Sequence, residues 1–173
     1  ERQNQSRRGD TRRWSGGWRL VVVTATGRTA EDRSARRRRL TLARLAEQRE
    51  GVWLRPENID LWPDPADEPD VVVYTARPDH DGAALAAELF DLEGWGRRAA
   101  ELIARLDSLP TTGPEGLAPG FELSAAVLRH MQADPLLPAE LLPAGWPCAA
   151  LRRTYGGWDR QYRRVLARWG RSS

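Results

Sequence analysis

The chain contains no lysine; all 27 of its basic residues are arginine. It has one cysteine, Cys148, two histidines, and no apolar run near the roughly 18 residues that a membrane span requires. Each scarcity excludes something. A lone cysteine can neither close an internal disulfide nor share a zinc ion with a second thiolate, so a reducing cytoplasm is the expected compartment. The aliphatic stretch Leu20-Val21-Val22-Val23 lacks the h-region and cleavage site of a signal peptide, and no membrane association is expected. Arginine presents a planar fork suited to phosphate and carboxylate, whereas lysine is a point charge. Codon usage in a GC-rich genome is nevertheless the simpler explanation for the missing lysine.

What is present describes a globular chain. Hydrophobic residues make up 40% and charged residues 29% of its 173 positions, enough for one compact domain or two small ones. A net charge of +3 does not make the whole molecule a strong polyanion binder. The charge is unevenly distributed: positions 1–50 are crowded with arginine, and positions 57–91 are acidic.

Residues 1–13 are polar and basic without hydrophobic periodicity and read as a linker, consistent with a module preceding them. Residues 19–25 (RLVVVTA), 51–56 (GVWLRP) and 71–76 (VVVYTA) read as strands, the second stopped by its proline. Thr29 with Asp32 forms an N-cap signal, and a helix is expected over 30–49 with Ala35, Leu42, Leu45 and Ala46 facing the core and Leu40 on the flank. The run Arg36–Arg39 points in every direction around such a helix. At least one guanidinium must therefore lie near the buried edge and needs a carboxylate or a bound anion. The proline-rich acidic stretch 57–69 is at most a short helix or turn. Beyond Gly82 the period becomes helical: 84–92 and 95–109 as one bent helix or two, then 121–132, then 149–169 with Gly156-Gly157 as a weak point. The expected fold class is α+β, a small ferredoxin-like domain over 14–78 followed by an all-α C-terminal domain over 82–173.

Four segments in this order resemble the PaaX-like transcriptional regulators, the family of the phenylacetate-degradation repressor. Trp14-x-Gly16-x-Trp18-Arg19-Leu20-Val21 resembles the opening of that family's central domain, and Gly51-Val52-Trp53-Leu54-x-Pro56 its second strand. Residues 84–92 (ALAAELFDL) resemble a helix around a Trp-Asp-Leu segment, with Phe90 in place of the tryptophan. Most specific is 134–147 (DPLLPAELLPAGWP), similar to a signature in which a DP-x-LP pair precedes LLP and WP. The resemblance implies a central ferredoxin-like domain and a helical C-terminal domain, following a winged-helix DNA-binding module that is not in these residues. It further implies homodimers, operator DNA as a partner through that winged helix, and release of DNA when an aryl-acetyl-CoA thioester binds.

Candidate sites follow. The ferredoxin-like match raises a nuclease reading, but residues 19–29 contain no carboxylate to hold a metal at the end of the first strand, so neither enzyme activity, metal nor cofactor is expected. His80, in a polar loop, reads as solvated, and Cys148 as a packing residue. His130 lies on an apolar helix and reads as a hydrogen-bonded structural histidine, while the resemblance raises a functional or domain-bridging role for it. A CoA-like effector asks for arginine around its phosphates and an apolar cleft around its acyl end. Arg36 to Arg39, Arg152-Arg153 and Arg163-Arg164 could supply the first, and Trp53, Phe90, Trp95 and Trp146 the second; the leading candidates are Arg36, Arg39, Trp53, Phe90, His130, Trp146, Arg152 and Arg153. The alternative is a dimerisation module with no ligand, in which the acidic stretch 64–70 meets the basic helix of a second copy. A third reading has the basic helix contacting DNA phosphates directly.

Overall fold

The computed structural model describes residues 11–25, 29–79, 81–110 and 114–169. It divides into two compact units, each considered by itself. The first contains a four-stranded antiparallel sheet of order β2-β3-β1-β4, with β1 at Trp18–Val23, β2 at Ala46–Arg49, β3 at Val52–Pro56 and β4 at Val71–Ala76. Helix α1, Ala30–Leu42, crosses between β1 and β2, and a 3-10 turn at Pro65–Asp67 stands where a second crossover helix would run. This is the strand order and direction of a ferredoxin-like layer with its second helix reduced to a turn. The fold class read from the sequence is therefore the one observed.

Helix α1 stops seven residues before its expected end at 49, and residues 46–49 form an edge strand instead. The termination carries no glycine. Arg44 adopts a left-handed conformation (φ 63°), its N–H bonds Thr41 O at 2.9 Å, and the Leu45 N–H bonds Leu40 O at 3.1 Å. Those two bonds are the Schellman pattern, usually announced by glycine at this position. Leu40 and Leu45 close it by packing in the same apolar cluster. The hairpin that follows turns at Glu50-Gly51, where Gly51 at φ +77° takes the conformation that L side chains disfavour.

The buried face of α1 also differs from expectation. Leu42 is exposed, whereas Arg36, Leu40 and Ala43 are buried. Leu40, Ala43 and Leu45 pack on Val21, Val23, Trp53, Val71 and Val73, which project from one side of the sheet. The register pairs Val21 with both Trp53 and Val73. The phase differs because an arginine, Arg36, occupies one of the core positions of the helix.

The sheet unit extends beyond residue 78. It takes in α2, Gly82–Leu89, and the segment Pro135–Leu142. Leu136, left-handed at φ 52°, presents its carbonyl to Asn58 Nδ2 at 2.8 Å and to Arg55 Nη2 at 3.4 Å. A Cβ on Gly82 would lie 3.1 Å from Leu141 and 3.5 Å from Trp14, so α2, the 135–142 segment and the first tryptophan pack closely. At the other end of the chain, residues 1–10 of the expected linker lie outside the described residues. Arg12 is already bound, its N–H to Asn58 O at 2.6 Å and its side chain to Asp60 at 2.8 Å.

The second unit holds α3 (Leu92–Ser108), α4 (Leu117–Gln132) and α5 (Cys148–Trp169). Two helices, α2 and α3, replace the one-or-two ambiguity around Gly94. Helix α4 begins four residues before its expected start, and α5 runs unbroken through Gly156-Gly157. Its stripe Cys148, Leu151, Tyr155, Trp158, Tyr162 recurs at alternating intervals of three and four, facing Ala99, Leu102, Leu106, Leu123, Val127 and Met131. A Cβ on Gly120 would come within 2.3 Å of the Tyr162 ring, so glycine is what lets that ring lie across α4. The Tyr162 hydroxyl completes the contact by donating to Leu117 O at 2.6 Å.

Candidate functional site

The eight sequence candidates fall into two groups. Arg36, Arg39, Trp53 and Phe90 belong to the sheet unit, and His130, Trp146, Arg152 and Arg153 to the helical one.

In the sheet unit a groove of about 900 Å³ lies beside α1, lined by that helix, the ends of β1 and β2 and the β2–β3 turn. Helical spacing brings Ala30, Arg33, Ser34 and Arg37 to one side of it, and Leu40 and Trp53 contribute apolar surface. Arg49, Glu47 and Glu50 come from the hairpin. Arg36 also lines the groove. Its residue is only 6% exposed, and its Nε is wholly buried without a hydrogen-bond partner.

Its neighbours on the helix are differently placed. Arg37 donates Nε to Glu47 at 2.9 Å, and its Nη2 bonds the same carboxylate. Arg39 grips Glu68 with two nitrogens, the Nη2 bond being 2.7 Å. That hydrogen bond holds the Arg39 pKa above its usual value. Arg39 thus turns to Glu68 in the acidic segment of its own chain. Trp53 is a core residue that reaches the groove from below, and Phe90 is half-buried at the end of α2.

Sequence reasoning missed Arg55. It is fully buried, with Nε on Pro56 O at 3.0 Å, Nη1 on Arg44 O at 3.3 Å and Nη2 on Asn58 Oδ1 at 3.0 Å. Such a group could have been suspected from an arginine inside an otherwise apolar strand. Arg33 and Arg49 in the groove had no signal of their own, since only the fold brings the hairpin to the helix.

In the helical unit Trp95 is sandwiched between two candidates. Its ring stacks on His130 at 4.3 Å and on Trp146 at 4.6 Å. The pairing with His130 is reciprocal: His130 Nε2 bonds Trp95 O at 3.0 Å, and Trp95 Nε1 donates to His130 O at 3.3 Å. Donation from Nε2–H suits a neutral imidazole, and burial lowers the His130 pKa, with Arg98 adding to the effect against the Trp95 hydrogen bond and Asp134. Arg152 donates to the buried Asp134 at 2.8 Å, and the Cys148 thiol bonds the same oxygen. Asp134 thereby sits at the start of α5, where the helix dipole favours a carboxylate. Arg153 is exposed.

His80 lies outside the described residues. Among the described residues, no three His, Cys, Asp or Glu side chains gather as a metal site, and no helix is long and apolar enough to cross a membrane.

Comparison with solved structures finds the uncharacterized protein Rv0674 from Mycobacterium tuberculosis, 40% identical, with a TM-score of 0.78 over 96% of this chain and 69% of that one. The chain belongs to the Rv0674 family. The likeness therefore extends over both units. No protein-family model and no curated protein matches the chain.

Proposed function

We propose that the chain is the effector-sensing and dimerisation portion of a PaaX-like transcriptional repressor, a cytoplasmic, non-catalytic module that responds to an aryl-acetyl-CoA or related CoA thioester. The observation that carries this reading is the bond from Asn58 to Leu136, assisted by Arg55. It ties the segment after GVWLRP to the DPLLP segment, 78 residues apart, so two of the stretches behind the resemblance build one buried framework. Trp14 and Trp18, from a third, meet edge to face at 6.5 Å in the same unit. The groove supplies what an effector with phosphates asks for, arginine in a concave and partly apolar setting.

Homodimerisation draws support from the side of the sheet away from α1, where Val72 and Tyr74 are 39% and 52% exposed. The reading without a ligand loses one of its arguments, because Arg39 and Glu68 satisfy each other within one chain. Calorimetry and thermal shift against a panel of aryl-acyl-CoA thioesters test the proposal. Binding to at least one is expected, and absence of heat and of any shift across the panel rejects it.

A further inference from the structure

Building on the effector-binding reading, we propose that the groove beside α1 is a phosphate or diphosphate subsite in which Arg36 is the principal ligand and Arg33, Arg37 and Arg49 line the walls. Three other arginines in and around this helix have acceptors from the chain. Arg37 has Glu47, Arg39 has Glu68, and the more deeply buried Arg55 has two carbonyls and an amide oxygen within 3.3 Å. Arg36 stands apart: it is more than nine-tenths buried, its Nε meets no acceptor, and it lines the cavity. A buried guanidinium is tolerated when an oxyanion completes it, and the planar fork of arginine takes two oxygens of one phosphate at once.

The walls narrow the class of ligand. Arginines line the groove from the helix at Arg33 and Arg37 and from the hairpin at Arg49, so a tetrahedral anion has cationic walls in more than one direction. Glu47 and Glu50 share the lining, and their charge opposes an extended polyanion such as a nucleic-acid backbone. Arg36 itself is recessed, which suits a small phosphate ester better than the convex surface of a duplex. Leu40 and Trp53 offer apolar surface next to the anion position, as an organic phosphate would use.

The test titrates the chain and its Arg36→Met and Arg36→Lys variants with inorganic pyrophosphate, adenosine 3′,5′-bisphosphate, free CoA and an aryl-CoA thioester, following heat and melting temperature. Without added anion, Arg36→Met is expected to melt at or above the wild-type temperature, since it removes an uncompensated buried charge. With pyrophosphate, the wild type gains several degrees and Arg36→Met gains none, its affinity falling at least tenfold, while Arg36→Lys retains part of the binding. Equal pyrophosphate affinity in wild type and Arg36→Met overturns the proposal. So does a large loss of stability in anion-free Arg36→Met, which would make the guanidinium structural, or Arg36-dependent binding of duplex DNA without binding of the small phosphates. If the phosphates bind through Arg36 but the thioester binds no better than pyrophosphate, the groove stands and the CoA-effector reading falls. If Arg36→Met binds the thioester as well as wild type does, the effector reading stands and the groove assignment falls.

Discussion

The sheet unit buries cations, and the helical unit buries rings. Of the buried polar and charged side chains, Arg36, Arg44, Arg55 and Asn58 all lie in the sheet unit. Among the described residues the helical unit buries Asp134 alone of the polar and charged side chains, at the start of α5, and fills its core with Leu, Val, Met and the stacked Tyr155, Trp158 and Tyr162. The difference follows from backbone geometry. A helix satisfies its own peptide groups and asks its neighbours only for apolar contact. The thin α-on-β layer ends in irregular segments, at Arg44 and around Leu136, whose carbonyls need donors, and Arg55 provides them. The sheet unit thus adds buried guanidinium bonds to backbone oxygens to its apolar core, whereas the helical unit buries aromatic rings and aliphatic area.

The contrast can be broken by substitution. The largest effect is expected for Arg55→Met, which removes a donor from the Arg44 and Leu136 carbonyls and from Asn58; a loss of about 4 kcal/mol should register in chemical denaturation. A loss below ~1 kcal/mol would mean that the sheet unit does not depend on that network. Leu151→Ala, on the fully buried seam of α5, should cost about 3 kcal/mol by cavity formation.

Gly120→Ala sharpens the comparison, because helix propensity alone would favour alanine. The 2.3 Å approach of the Tyr162 ring reverses the sign, and a net destabilisation of about 1–2 kcal/mol is expected in the same denaturation assay. Unchanged or raised stability would show that the ring moves freely aside.

The smallest effect concerns pH. Burial lowers the His130 pKa below its ordinary 6.5, so the unfolded state binds the proton more readily. The stability contributed by the neutral ring is complete above 6.5 and is lost as pH falls from there through the folded-state value. Melting temperature followed from pH 7.5 to 5 should decline less steeply for His130→Gln than for wild type; identical slopes would remove His130 from the account.

The strand at 71–76 and the helical second half were legible in the sequence because their burial is periodic, and 51–56 because glycine and proline bound a short apolar run. Strand β2 was hidden: 46–49 (AEQR) has no β-branched residue, and the helix before it ends on an arginine. The candidate list was similarly divided. That a guanidinium in the run 36–39 must be buried follows from the angular spread of consecutive helical positions alone. Which one it is depends on the phase that Leu40 and Ala43 impose by docking on Val21 and Trp53, and this selected Arg36.

The sequence by itself determined the composition of each unit, the α+β class and the demand for an acceptor somewhere on the first helix. The tertiary structure alone decided which demands are met. Glu47 and Glu68 are 10 and 29 residues from the arginines they hold, and Leu136 is 81 from Arg55. No local rule reaches that far; chain folding brings such partners together, and it left the Nε of Arg36 without one.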